Sequence, residues 1–322
     1  MHETPTPVSL NSIQDARRVI ARSAVRTPLV KLNVLDAPAE IYLKLENLQP
    51  IGSFKIRGAA NAIAHLPPEK LERGVVTASA GNMAQGVAWI ARELGIPCTV
   101  IAPDSAPETK IKAIERLSGR VIKVAFDDWW KAFEQRAYKG AEGTFIHAFD
   151  DLDVMAGNGT IGLEILEDLP DLDTVVIPWG GGGLTCGIAS ALRALRPGCR
   201  IFAAEVATAA PLAASLAAGV PTEVNYQTSF VDGIGAKRVF PKMFERVKTM
   251  IDGSLVAELV AVADAVRLLA KRNHVIAEGA GACSVACALA EKAGTGKVVC
   301  IVSGGNIDFV KLCGILTEPA ER

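Results

Sequence analysis

Apolar residues in this chain fall into short aliphatic blocks, separated by longer stretches where apolar and polar positions recur with a helical period. The blocks cover residues 41–46, 74–79, 98–102, 120–124, 145–147, 174–178, 201–205 and 298–302. Most are continuous and rich in Val and Ile, which is how a strand buried on both faces reads. Helical periods fill residues 12–22, 56–63, 83–94, 110–117, 128–138, 160–167, 187–195, 261–271 and 283–293. Such alternation predicts βα units on a parallel sheet, an α/β fold. Ser12-Ile-Gln-Asp15 reads as a capping box for the first helix, and Ser53 as the N-cap of the second.

At 322 residues the chain can bury two separate cores or one large α/β unit. Its formal net charge of −1, with no long basic run, argues against a nucleic-acid partner. The odd count of seven cysteines contains no CxxC pair and suits a reducing compartment. Cys283 and Cys287 share a probable helix face without nearby His or Cys partners, so core packing is expected there rather than a metal. The opening Met-His-Glu-Thr-Pro-Thr-Pro lacks a leader pattern, and no apolar run approaches the ~18 residues needed to cross a bilayer. The expectation is a cytoplasmic protein without a membrane contact.

Four segments carry candidate chemistry. In Asn47-Leu-Gln-Pro-Ile-Gly-Ser-Phe-Lys55-Ile-Arg-Gly58, a turn leads into a helix whose first turn holds a lysine. The positive end of the helix dipole disfavours a further cation, lowers the lysine's pKa and favours a nucleophilic free amine. A lone lysine more commonly points to water, so this reading depends on the other segments. Pro178-Trp-Gly180-Gly181-Gly182-Gly183-Leu184 closes a strand and opens a helix. Consecutive bare amides at a helix N-terminus suit a phosphate, although a tight turn would need no ligand. No Lys-Ser/Thr follows, which excludes a P-loop. Ser79-Ala-Gly-Asn82-Met-Ala-Gln-Gly86 offers amides and a hydroxyl to a carboxylate, and otherwise reads as an ordinary helix start. Ser303-Gly-Gly-Asn306 follows the last strand, either as a plain turn or with a hydroxyl placed to meet a ring nitrogen.

Taken in order, these segments resemble the fold-type II pyridoxal-phosphate enzymes, and within them the threonine/serine dehydratase and serine racemase group, from about residue 10 to 315. The resemblance implies two open twisted, mainly parallel sheets flanked by helices. It also implies a large cofactor-binding domain of residues 1–76 and 149–322 and a small mobile domain of residues 77–148. Pyridoxal 5'-phosphate is the implied cofactor, joined to Lys55 as a Schiff base, with Phe54 packed on its ring and Asn82 at its phenolic oxygen. Gly180, Gly181, Gly182, Gly183 and Leu184 would hold the phosphate, and Ser303 would face the pyridine nitrogen. Ser79, Ala80, Gly81, Asn82 and Met83 would receive the substrate. A neutral hydroxyl at the ring nitrogen weakens the electron sink and favours β-elimination. The implied reaction turns a β-hydroxy amino acid of the L-threonine or L-serine type into a 2-oxo acid and ammonia. Lys55 would serve as general base, and the enzyme would be a homodimer.

A racemase of the same fold is the nearest alternative, but it needs a proton carrier on the opposite face, where serine racemases have Ser and this chain has Ala80. His147-Ala-Phe149-Asp150 also matches the dehydratase pattern. From other classes, a nucleotide-dependent oxidoreductase could use the glycine run, and a binding protein could keep the fold without chemistry. Two departures stand out. Met83 occupies a position where most of the group has His. Glu205 matches the group's divalent-cation glutamate, but the acidic partner six residues on is Pro211, so no metal is expected. Trp129 and Trp130 raise the idea of a large or aromatic β-substituent, as in a phenylserine-type dehydratase, although core packing is the commoner role of such residues. No regulatory domain is expected after the last motif.

Overall fold

The computed structural model describes residues 6–290 and 292–317. The first and last residues of the chain, on which the leader and regulatory-domain expectations rest, lie outside the described residues, as does residue 291 of the expected helix 283–293. Among the described residues ten strands follow one another: β1 (Leu29–Lys31), β2 (Glu40–Lys44), β3 (Val75–Ala78), β4 (Cys98–Pro103), β5 (Arg120–Val124), β6 (Thr144–Phe145), β7 (Thr174–Pro178), β8 (Arg200–Val206), β9 (Gly253–Ala257) and β10 (Lys297–Ile301). They form a six-stranded sheet in the order β1-β2-β10-β7-β8-β9 and a four-stranded sheet in the order β5-β4-β3-β6. All pairings are parallel except β1 with β2. Helices flank both sheets, so the expected α/β architecture with two open, mainly parallel sheets holds. β3 and β7 are buried along their whole length, which is why their sequences alternate so little.

Several boundaries differ from the sequence reading, each for a local reason. The first helix spans Leu10–Ile20 and is capped by Ser9, whose hydroxyl accepts from the Ser12 amide at 3.0 Å, so Ser12 is not the cap. The second helix is Lys55–Ala64 with Phe54 at its N-cap. Ser53 does not cap it: its hydroxyl is buried without a partner, and its backbone bridges to Gly304. The helix expected at 160–167 runs from Leu152 to Asp168, with Asp151 accepting from the amides of Asp153 and Val154. Its glycines read as breakers but serve close packing. A Cβ at Gly157 would sit 2.3 Å from the Arg57 carbonyl oxygen, and one at Gly159 2.9 Å from that of Gly187. The helix expected from 283 runs over Gly279–Leu289, with Cys283 and Cys287 both buried in the core.

Behind the helix that opens on Lys55 lies a sealed ionic quartet. Arg57 Nε donates to Glu46 at 2.8 Å and Arg57 Nη1 to Glu164 at 2.6 Å, while Lys44 Nζ donates to Glu164 at 2.6 Å. Thr27 and Thr160 add hydrogen bonds to Glu46 and Arg57. Burial alone opposes the Arg57 charge, but Glu46 and Glu164 outweigh it and hold its pKa above the ordinary value. Removing one member would leave an uncompensated buried charge, a loss of ~3–5 kcal/mol. The quartet ties the Lys55 helix to β2 and to helix Leu152–Asp168.

Candidate active site

The carboxyl ends of β3, β7 and β10 and the start of the Lys55 helix open on one cavity of about 590 Å³. Parallel α/β sheets present ligand sites at strand carboxyl ends because helix N-termini and loops converge there. The structure brings every sequence-nominated residue to this cavity: Phe54, Lys55, Ser79, Ala80, Gly81, Asn82, Met83, Gly180, Gly181, Gly182, Gly183, Leu184 and Ser303 all line it.

Lys55 is the first residue of its helix, and its Nζ donates to the Ala148 carbonyl at 2.8 Å. Burial pushes its pKa down to about 8, with Glu278 pulling weakly the other way. Desolvation is thus the principal cause. The Phe54 amide donates to the Ser303 carbonyl at 3.0 Å, stitching the lysine loop to the turn after β10.

The glycine run is shaped by aromatic neighbours. A Cβ on Gly181 would fall 2.0 Å from the Phe149 ring, and one on Gly183 2.8 Å from Phe149 Cα. Gly182 adopts φ +93° and caps the helix Gly183–Leu195, and a Cβ there would meet Trp179 at 2.4 Å. Only backbone fits. The first amides of that helix have no intrahelical acceptors, and Thr185 Oγ1 in its first turn is buried with no partner. Phe149 is held in turn by His147, whose Nδ1 accepts from the Asp150 amide at 2.9 Å and the Phe149 amide at 3.3 Å. Burial, reinforced by Arg136, pushes the His147 pKa down to about 3, so the ring is neutral and can accept both.

At the junction after β3, the Gly81 amide donates to Ser79 Oγ at 3.1 Å, so this hydroxyl stabilises its own turn. Met83 is buried against the hydrophobic core of the four-stranded half while its edge reaches the cavity. Asn82 stands between two partners: its Nδ2 donates to Glu278 Oε1 at 2.9 Å, and its Oδ1 accepts from Asn306 Nδ2 at 2.8 Å. Asn306 also donates to the Ile51 carbonyl at 2.8 Å. Glu278 is the site residue that sequence reasoning missed. Burial, aided by nearby Asp232, pushes its carboxyl up to about 7. Its only sequence signal is a lone carboxylate ahead of the small-residue run Gly279-Ala-Gly281.

Trp129 and Trp130, for which core packing was the favoured role, both line the cavity as well as packing on their neighbours. Glu205 lies elsewhere, its carboxylate accepting from the Leu212 and Ala213 amides and the Ser254 hydroxyl at 2.7–2.8 Å. It anchors the helix Pro211–Ala218.

Comparison with known proteins agrees with this geometry. The family model described as pyridoxal-phosphate dependent enzyme matches residues 20–304. An L-threonine ammonia-lyase of Thermotoga maritima is 43% identical over 316 residues, covering 97% of this chain and 79% of that protein. A catabolic L-threonine dehydratase of Staphylococcus aureus is 38% identical over 98% of this chain and 93% of its own length. Among solved structures, maize serine racemase superposes with a TM-score of 0.89 at 32% identity, covering 96% of this chain and 97% of that one. Threonine deaminase isoform 2 from Solanum lycopersicum gives 0.85 at 32% identity, covering 97% and 90%. The cavity fits the cofactor of this family: a depressed amine for its aldehyde, bare amides and an orphaned Thr185 hydroxyl for its phosphate, and an uncharged Ser303 for its ring. With motif, fold and cavity in agreement, the chain belongs to the pyridoxal-phosphate-dependent enzyme family.

Proposed function

We propose that this enzyme is an ammonia-lyase that converts a β-hydroxy amino acid of the L-threonine or L-serine type into a 2-oxo acid and ammonia by β-elimination. The observation that carries it is a buried lysine amine of lowered pKa in a cavity that is also lined by Ala80, a side chain with no proton to give. Elimination needs one base at Cα, and Lys55 is in place to be that base. Racemisation needs a second proton carrier on the other face, and Ala80 cannot be one.

Bound pyridoxal phosphate supplies the aldehyde and the electron sink. The chain's own residues do the rest. The amides of Gly180 to Gly183 and Leu184, with the Thr185 hydroxyl, receive a phosphate at the positive end of their helix. Phe54 would pack against the ring, and Asn82 would offer the phenolic oxygen the N–H that it keeps beyond its bond to Glu278. Ser303, a neutral hydroxyl, would leave the ring nitrogen uncharged and so favour loss of a β-leaving group. The turn of Ser79, Ala80 and Gly81, with Asn82 and Met83, receives the substrate carboxylate, and the Lys55 amine takes the Cα proton.

Residues 77–148, which hold all of the four-stranded sheet except Val75 and Val76 of β3, act as a small mobile domain over a larger cofactor-binding unit of residues 1–76 and 149–322. The seven cysteines, all free and six of them buried, fit a reducing cytoplasm. No helix among the described residues is long and apolar enough to cross a membrane. The working assembly is a homodimer, which light scattering of the holoenzyme tests. The central experiment is borohydride reduction of the yellow holoenzyme followed by peptide mapping. The label is expected on Lys55, and Lys55→Ala is expected to lose the colour and the release of oxo acid. A label on another residue, or undiminished turnover by Lys55→Ala, sinks the proposal.

A further inference from the structure

The chain holds ten Phe, four Trp and three Tyr, and eight of these seventeen rings line the one cavity that contains Lys55. Six of them, Phe126, Trp129, Trp130, Phe133, Phe149 and Phe240, form a continuous wall. Trp130 stacks on Phe133 at 5.9 Å between centroids and meets Phe240 at 5.7 Å; Phe149 meets Phe133 at 5.4 Å and Phe240 at 5.2 Å. Trp129 joins Phe126 at 5.4 Å and Phe133 at 5.9 Å. The rings brace one another, so they stand as a wall and leave the cavity open in front of them. The polar junction of Ser79 to Asn82 borders the same cavity, giving an amino acid one part that reads its carboxylate and another that reads its side chain.

From this division we infer that the enzyme's substrate class extends to, and favours, β-aryl-β-hydroxy amino acids, with Trp130 and Phe240 as specificity-determining residues. The inference rests on the elimination reading above. A methyl group, as in threonine, covers little of six rings and leaves most of the wall facing water. An aryl group meets them edge-on or offset, the arrangements that aromatic pairs prefer, and buries apolar surface on both partners. Trp130 comes from the four-stranded half and Phe240 from the six-stranded half, and their rings meet at 5.7 Å, so an aryl ring laid against that contact would touch both.

The chemistry balances without an oxidant or reductant. The Lys55 amine takes the Cα proton, the Cβ–O bond breaks and the hydroxyl leaves as water. Water is taken up again when the released enamine hydrolyses, so the net products are a 3-aryl-2-oxopropanoate and ammonia.

The test gives threo-3-phenylserine and L-threonine separately to the holoenzyme and scores oxo acid and ammonia. We expect kcat/KM for phenylserine to exceed that for threonine by about tenfold, the scale on which apolar pockets discriminate. Trp130→Ala should lower that ratio about tenfold, and Trp130→Phe, which keeps a ring, should retain most of it. Saturating phenylserine should also quench tryptophan emission where saturating threonine does not, a readout independent of turnover. Threonine used as well as phenylserine, or a ratio unmoved by Trp130→Ala, overturns the inference. Turnover of threonine alone overturns only this inference, whereas oxo acid from neither substrate overturns the elimination reading as well.

Discussion

Two glycine-bearing junctions face the same cavity and are built on opposite principles. After β7, the Cβ positions of Gly181, Gly182 and Gly183 are already filled by Phe149 and Trp179. After β3, a Cβ on Gly81 would meet nothing within 4 Å. The first junction is fixed by packing, and its backbone is forced against the cavity whatever the polar groups do. The turn ahead of Met83 is held by directional contacts: Ser79 to the Gly81 amide, and Asn82 to Glu278 and Asn306. A rigid seat therefore faces a junction that can respond to what enters, and glycine has a different purpose in each.

The largest break in this contrast should come from Gly181→Ala. Its methyl would overlap the Phe149 ring, and overpacking of this kind costs ~1–3 kcal/mol. We expect a lower melting temperature and loss of bound cofactor, read from its visible absorbance, with partial recovery when Phe149→Ala is added. Recovery failing to appear would mean that the glycine is required for another reason.

A smaller effect should follow Glu278→Gln. The folded protein keeps this carboxyl protonated up to about 7, whereas its unpaired value is 4.5. The folded state thus binds the extra proton, and the group's contribution to stability is fully present below 4.5 and is lost as pH rises through about 7. Melting curves collected across that window should lose this slope in Glu278→Gln, and an unchanged slope would assign it to other groups. The smallest change belongs to Gly81→Ala, where open space and an ordinary φ of −113° predict a shift within ~0.5 kcal/mol by chemical denaturation.

What the sequence revealed follows the same physics. Central strands such as β7 and β10 are continuous aliphatic blocks, so their burial is written in every residue. The edge strands of the six-stranded sheet are not legible: β1 is three residues long and β9 is only half-buried along most of its length. The sequence pattern gives only residues 160–167 of helix Leu152–Asp168; the missing first turns hold Gly157 and Gly159, whose place in a helix follows from the neighbouring helices they pack against. The site itself was legible wherever chemistry is local in sequence, as in the lysine turn and the glycine run. Glu278 escapes because its role arises from a neighbour far along the chain, Asn82, and His147 is legible only as part of a pattern, since the burial that keeps its ring neutral is set by the fold. Ser53 misled in the opposite way, since a good capping residue was spent on a bridge to Gly304.

The quartet of Lys44, Glu46, Arg57 and Glu164 has an electrical consequence for the amine in front of it. Two cations and two anions sealed together sum to nothing, so the foundation of the helix projects little field on Lys55. Mobile counterions cannot reach them, while the exposed pairs of Arg17 and Arg26 with Glu167 and Asp168 lie open to screening. Rising ionic strength should therefore slacken the outer helix Leu10–Ile20 long before it disturbs the basicity of the lysine.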